Sequence, residues 1–233
     1  MTLSLTVSDE VRALAPGFTH VAVEAHGLVN GPSTEASSAL LDDAARRLAV
    51  RLDGRAPHED PHMAAWRATY TAFGSKPSRT RNSAEALARR ALTDAGLPRI
   101  NVLVDLYNAI SVAHLVPVGG EDLDLVQGGM RLVRAGGEED FVTVAGGEET
   151  VEHPDAGEVV WRDEAGVTCR RWNWRQGPRT RLTEGTTSGI FLLESLDPMP
   201  VAEVRAAATE LAELLEKFSP GVRVTVREPW SAA

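Results

Sequence analysis

Cysteine is almost missing from this chain of 233 residues, with Cys169 standing alone. One thiol excludes an intramolecular disulfide framework and a cysteine-rich zinc site. With no histidine near it in sequence, Cys169 reads as a buried structural thiol rather than a nucleophile. No continuous apolar run approaches membrane-spanning length, and the N-terminus lacks the basic-then-apolar order of a signal peptide. The expectation is a soluble, cytoplasmic protein without a membrane partner. Positive net charge is also absent. A formal charge of -9 argues against indiscriminate nucleic-acid binding, and against DNA as a partner, because phosphate contacts supply most of that affinity. No Gly-x-Ser-x-Gly elbow occurs. The paired glycines Gly119-Gly120, Gly128-Gly129, Gly136-Gly137 and Gly146-Gly147 lack the strand, spacing and helix of a phosphate loop, so they read as turns. His58 and His62 have metal-pair spacing, but Pro61 lies between them at a helix start. No metal or cofactor is expected.

What is present suffices for a core: 43% of residues are hydrophobic and 24% charged. Residues 3–7 and 18–23 read as strands around a short helix begun by Ser8. Leu40, Leu41, Ala44, Leu48 and Leu52 share one helical face. A second helix starts at Asp60-Pro61 and ends by Gly74; a third runs from Asn82, with Glu85 suited to a capping box, to Gly96. Along residues 100–113, Val102, Leu106, Ile110 and Ala113 form an apolar stripe that leaves Asp105, Asn108 and Ser111 at polar positions. Short β-type runs then extend to Trp174, with a hairpin across residues 163–166. Ile190 to Leu193 reads as a strand, residues 200–218 as a long helix, and Val222, Val224 and Val226 as a last strand. With no internal repeat or low-complexity linker, the expected fold is α/β (α+β): a single mixed three-layer domain with β-sheets flanked by helices.

The densest chemistry lies in Cys169-Arg170-Arg171-Trp172-Asn173-Trp174-Arg175-Gln176-Gly177. Arginine offers planar forks and tryptophan a rigid wall with one donor, so this stretch suits either a polar ligand pocket or an Arg-on-Trp stack closing a hairpin. Lys76, Arg79, Arg81, Arg89 and Arg90 form one cationic group, and Arg170, Arg171, Arg175, Arg179 and Arg181 another. Folding would place them either on one basic face or as dispersed surface charge. Glu194 ends an apolar strand preceded by Thr186, Thr187 and Ser188. It suits either a substrate amine or hydroxyl, or a structural ion pair.

Asn101-Val102-Leu103-Val104-Asp105-Leu106-Tyr107-Asn108, with Pro117 and the acidic residues Asp122 and Asp124 downstream, resembles the opening of the editing domain of the phenylalanyl-tRNA synthetase beta subunit. Residues 187–194 resemble that domain's Thr-rich turn and buried strand ending in Leu-Glu. The resemblance spans residues 73–218, as in a freestanding relative of the third and fourth domains of that subunit, a tRNA-binding unit. It implies residues 73–233 as the editing-like domain and residues 1–72 as an N-terminal strand and helix extension on the same core. It also implies hydrolysis of an amino acid wrongly esterified to tRNA, with Glu194 in the place of the glutamate that recognises a tyrosine hydroxyl. Asn108 matches the family's asparagine, and Tyr107 falls where the synthetases have a threonine. The pattern departs at Gly119, near the position of the family's histidine, and at residues 172–177, which replace a Gly-rich turn.

On this resemblance the expected substrate-binding residues are Asn108, Arg171, Trp172, Asn173, Trp174, Arg175, Thr187 and Glu194. The expected tRNA contacts are Lys76, Arg79 and Arg81, and the catalytic residue is not identified. The leading expectation is a trans-editing aminoacyl-tRNA deacylase. The alternatives are a non-catalytic module for tRNA or an amino-acid-like ligand, and a domain that only packs against another subunit.

Overall fold

A computed structural model describes residues 3–228 and 230–231. The strands are β1 (Leu5–Val7), β2 (Thr19–His26), β3 (Val118–Asp122), β4 (Met130–Arg134), β5 (Phe141–Ala145), β6 (Glu148–Glu152), β7 (Val159–Arg162), β8 (Val167–Arg170), β9 (Arg175–Gln176), β10 (Ser188–Ser195), β11 (Arg223–Val226) and β12 (Trp230–Ser231). The helices are α1 (Asp9–Leu14), α2 (Glu35–Leu52), α3 (Pro61–Ala72), α4 (Ser83–Ala91), α5 (Val102–His114) and α6 (Val201–Phe218), with one 3-10 turn at Pro57–Glu59. One sheet runs β1-β4-β7-β8-β9, parallel only at β1–β4. The other runs β11-β2-β10-β3 with β12 added to β2, and β5–β6 forms a separate hairpin. The architecture is mixed α+β. No helix among the described residues is long and apolar enough to cross a membrane.

Sheet alternation explains the two main cores. Val21, Val23, Phe191 and Leu193 pack with the inner face of α6. Ala22, Ile190 and Leu192, on the opposite face, join Trp161 from the first sheet, Trp172 from the turn after β8, and Trp66 and Tyr70 from α3. β2 comes from the segment expected to form an N-terminal extension, and β10 and β11 are hydrogen-bonded to its two sides. The polar positions expected on α5 turn inward. Asp105, Asn108 and Ser111 are buried because α5 is covered all round. Asp105 accepts from Ser37 Oγ at 2.7 Å, and Ser111 Oγ donates to the Val116 carbonyl at 2.7 Å. α4 stops at Ala91, before the expected Gly96. There Thr93 N turns back to the Arg90 carbonyl, and Arg90 Nε closes the turn on the Gly96 carbonyl at 2.8 Å. Asn82 caps this helix through Glu85 N, but the Glu85 carboxylate pairs with Arg67 at 2.8 Å instead of completing a capping box.

Candidate functional site

The edge of β3, the end of β10 and the turn after β8 enclose a cavity of about 340 Å³, with α4 and α5 on its other side. Its deepest polar group is Glu194, 2% exposed. Trp161 Nε1 and Trp172 Nε1 both donate to Glu194 Oε1, at 2.8 and 3.1 Å, and Asn173 Nδ2 donates to Oε2 at 3.0 Å. Asn173 is itself oriented by the Tyr70 hydroxyl, which donates to its Oδ1 at 2.8 Å. Burial pushes the Glu194 carboxyl up to about 7, against the downward pull of those three donors.

A second acid lines the same cavity. Glu121 on β3 lies opposite Ile190 in the β10 register, on the same face as Leu192 and Glu194. Gln176 Nε2 bridges its carboxylate and the Gly120 carbonyl, the latter at 2.7 Å. Burial raises Glu121 to about 8, partly offset by hydrogen bonds that include the one from Gln176. Cys169 also lines the cavity, its thiol pushed well above the ordinary value by burial and by the two glutamates. A thiol so held is a poor nucleophile.

Residues 171 and 172 have φ of 45° and 67°, a left-handed pair unusual for bulky side chains. This pair breaks the strand alternation. Trp172, Asn173 and Trp174 therefore all reach the cavity in succession. Trp172 also packs edge-on against Trp66 and Phe18, with ring centroids 5.3 and 4.9 Å away.

Of the residues expected to bind substrate, Asn108, Trp172, Asn173, Trp174 and Glu194 line this one cavity. Arg171 and Arg175 do not: each guanidinium lies 4.5 Å from the Trp174 ring centroid on the outer side. Arg171 pairs there with Glu158 and Asp155, and Arg175 with Glu152. Thr187 is exposed beyond the cavity, and its carbonyl accepts from Gly27 N and Leu28 N. Lys76 and Arg79 are exposed without an ion pair among the described residues, whereas Arg81 lies 3.4 Å from Glu85. Of the other expected cationic group, Arg170 is locked to Glu158 and Arg179 to Asp163.

Sequence reasoning missed Trp161, Tyr70 and Glu121. Trp161 sits in an apolar hairpin run, and Tyr70 lies on a helix read only for its ends. Glu121 follows Gly119-Gly120, a pair that reads as a turn but lies within β3; its place two residues from Gly119, on one strand face, is the signal that could have found it. His20, beside Glu194 in register, lines a different and smaller cavity with Trp230, and burial lowers it to about 4. His62 is occupied by the Leu115 carbonyl at Nδ1 and by Trp66 Nε1 at Nε2.

The B3/4 domain family matches residues 65–224, more than half of the chain. Among solved structures, the chain is similar to an N-terminal fragment of the phenylalanyl-tRNA synthetase beta-subunit from Pyrococcus horikoshii. The identity is 13% and the TM-score 0.47, with 96% of this chain and 50% of that chain covered. The chain thus spans about half the length of that fragment. None of the curated proteins compared matches it.

Proposed function

Since the chain belongs to the B3/4 domain family, as a relative of that domain of the phenylalanyl-tRNA synthetase beta subunit, we propose that it is an aminoacyl-tRNA deacylase acting in trans on a misacylated ester. The observation that carries this reading is the convergence of Asn108, Trp172, Asn173 and Glu194 on one cavity of amino-acid size. The Asn108 amide, 5% exposed, has no hydrogen-bond partner among the described residues, so its capacity is free for a ligand. Glu194 anchors the amino-acid end. Water adds to the ester carbonyl, the acyl–oxygen bond to the ribose breaks, and the departing ribose oxygen takes the proton, with its neighbouring hydroxyl positioning the water. Lys76, Arg79, Arg89 and Arg90, in no ion pair among the described residues, supply cations near α4, whose Ser83, Ala86 and Leu87 form the cavity rim. They suit the phosphates of the tRNA end.

The test is amino-acid release from a panel of misacylated tRNAs. Glu194→Gln is expected to slow release by about 10²-fold, the usual effect of removing one positioned polar group. Release by the wild type at the buffer rate on every tRNA sinks the deacylase. A second reading, binding without hydrolysis, is favoured by Gly119, which leaves no imidazole on the cavity wall. A Cβ built at Gly119 meets nothing within 4 Å, so the backbone there accepts a side chain and Gly119→His is the variant to make. If that variant gains hydrolysis where the wild type has only tRNA affinity, the binding module is the correct reading.

A further inference from the structure

Buried acids in this protein fall into distinct groups. Five carry an arginine: Glu24 with Arg227, Asp60 with Arg51, Glu85 with Arg67, Glu158 with Arg170, and Asp163 with Arg179. Asp105 and Asp122 sit away from the cavity and accept from a hydroxyl and a backbone N–H each. Glu194 and Glu121 differ from both groups. They face a ligand-sized cavity, their partners are neutral indoles and amides, and among the described residues no lysine, arginine or histidine lines that cavity. Arg179 acts on Glu121 only from a distance, since both of its terminal nitrogens are committed to Asp163 at 2.6 and 2.8 Å. An anion buried among neutral dipoles lacks the counter-charge that burial demands.

The walls point the same way. Trp161, Trp172 and Tyr107 all line this cavity, and aromatic rings attract cations once water is excluded. By register, Glu121 and Glu194 are four residues apart along β10 on neighbouring strands. Their backbones are therefore roughly 14 Å apart, and both side chains reach into the intervening cavity. That places an acid toward each end of the space, with the unpartnered Asn108 amide available to a polar group between them.

Resting on the reading of this cavity as an aminoacyl site, we propose that it selects an amino acid with a cationic side chain, of the lysine or ornithine class, with one carboxylate taking the α-ammonium and the other the side-chain cation. Neutral side chains of equal length would leave one acid uncompensated.

Calorimetric titration of the full chain with lysinamide and norleucinamide tests this without any hydrolytic step. Lysinamide is expected to bind about tenfold tighter, the effect of one additional desolvated charge contact of about 1.4 kcal/mol. Glu121→Gln should erase that preference, and an unchanged far-UV circular dichroism spectrum reports that the variant is folded. Equal affinities in the wild type, a preference that survives Glu121→Gln, or no lysinamide binding in the millimolar range each overturn the proposal. Deacylation of misacylated tRNA with no preference for cationic side chains sinks this inference and keeps the deacylase. Lysinamide selectivity without deacylation does the reverse.

Discussion

The two sides of residues 169–176 handle charge in opposite ways. Outside, Arg170 grips Glu158 with two parallel hydrogen bonds of 2.9 and 2.8 Å, Arg175 shares Glu152 with it, and Arg171 adds Asp155. Every charge there meets its opposite within the chain. Inside, Glu194 meets only indole and amide donors. The outer side is complete, and the inner side is complete as geometry but open as electrostatics. The left-handed pair Arg171 and Trp172 makes the division possible, because regular alternation would have sent Asn173 outward with Arg171 and Arg175. A charge satisfied by the fold serves the fold, and one left open is available to a ligand.

The comparison breaks most readily from the outside. Arg170→Ala strands Glu158, 2% exposed, without its bidentate partner, and should cost about 3–5 kcal/mol in chemical denaturation. A loss under about 1 kcal/mol would mean that the outer cluster is no clamp.

From the inside, the comparison sharpens with pH. Glu194 and Glu121 have folded-state values raised to about 7 and about 8 from 4.5, so they keep protons that the unfolded chain has released. Each therefore reduces stability as pH rises from about 4.5 until its folded value is passed. His20 and His62, lowered to about 4 from 6.5, oppose this by reducing stability as pH falls below 6.5. The two sets largely cancel between about pH 4.5 and 6.5, and only the glutamates act above that. The free protein should lose on the order of 2 kcal/mol between about pH 6.5 and 8, and Glu121→Gln should flatten the decline. A melting temperature that rises over that interval contradicts the uncompensated pair. The smallest effect belongs to Arg175→Ala, which removes a half-exposed pair and one cation–π contact and should change stability by less than about 1 kcal/mol.

Much of this fold is legible from local rules. Ser8, Asp60, Asn82 and Asn101 cap helices through their side chains. Those at Ser8, Asp60 and Asn82 were readable from residue type and spacing. The stretch at 169–177 announced chemistry but concealed its division: Arg171 and Arg175 stack on Trp174 outside, while Trp172, Asn173 and Trp174 line the cavity. Strand alternation would have put Asn173 on the wrong face, and neither position 171 nor 172 is a glycine that would flag positive φ. Glu121 joins the cavity through its pairing with β10, and Trp161 reaches Glu194 from the other sheet, 33 residues away in sequence; spacing in sequence does not encode either meeting.

β2 has a further consequence for the life of the chain before it is folded. Its partners β10, β11 and β12 all follow it by more than a hundred residues. During synthesis at about 5–20 residues per second, roughly 10–30 s separate the emergence of His26 from that of Ser195. Throughout that interval Val21, Ala22, Val23 and Ala25, all buried in the finished protein, have no strand to pair with. The sheet that carries Glu194 can close only once β10 has emerged, so the cavity cannot exist before then.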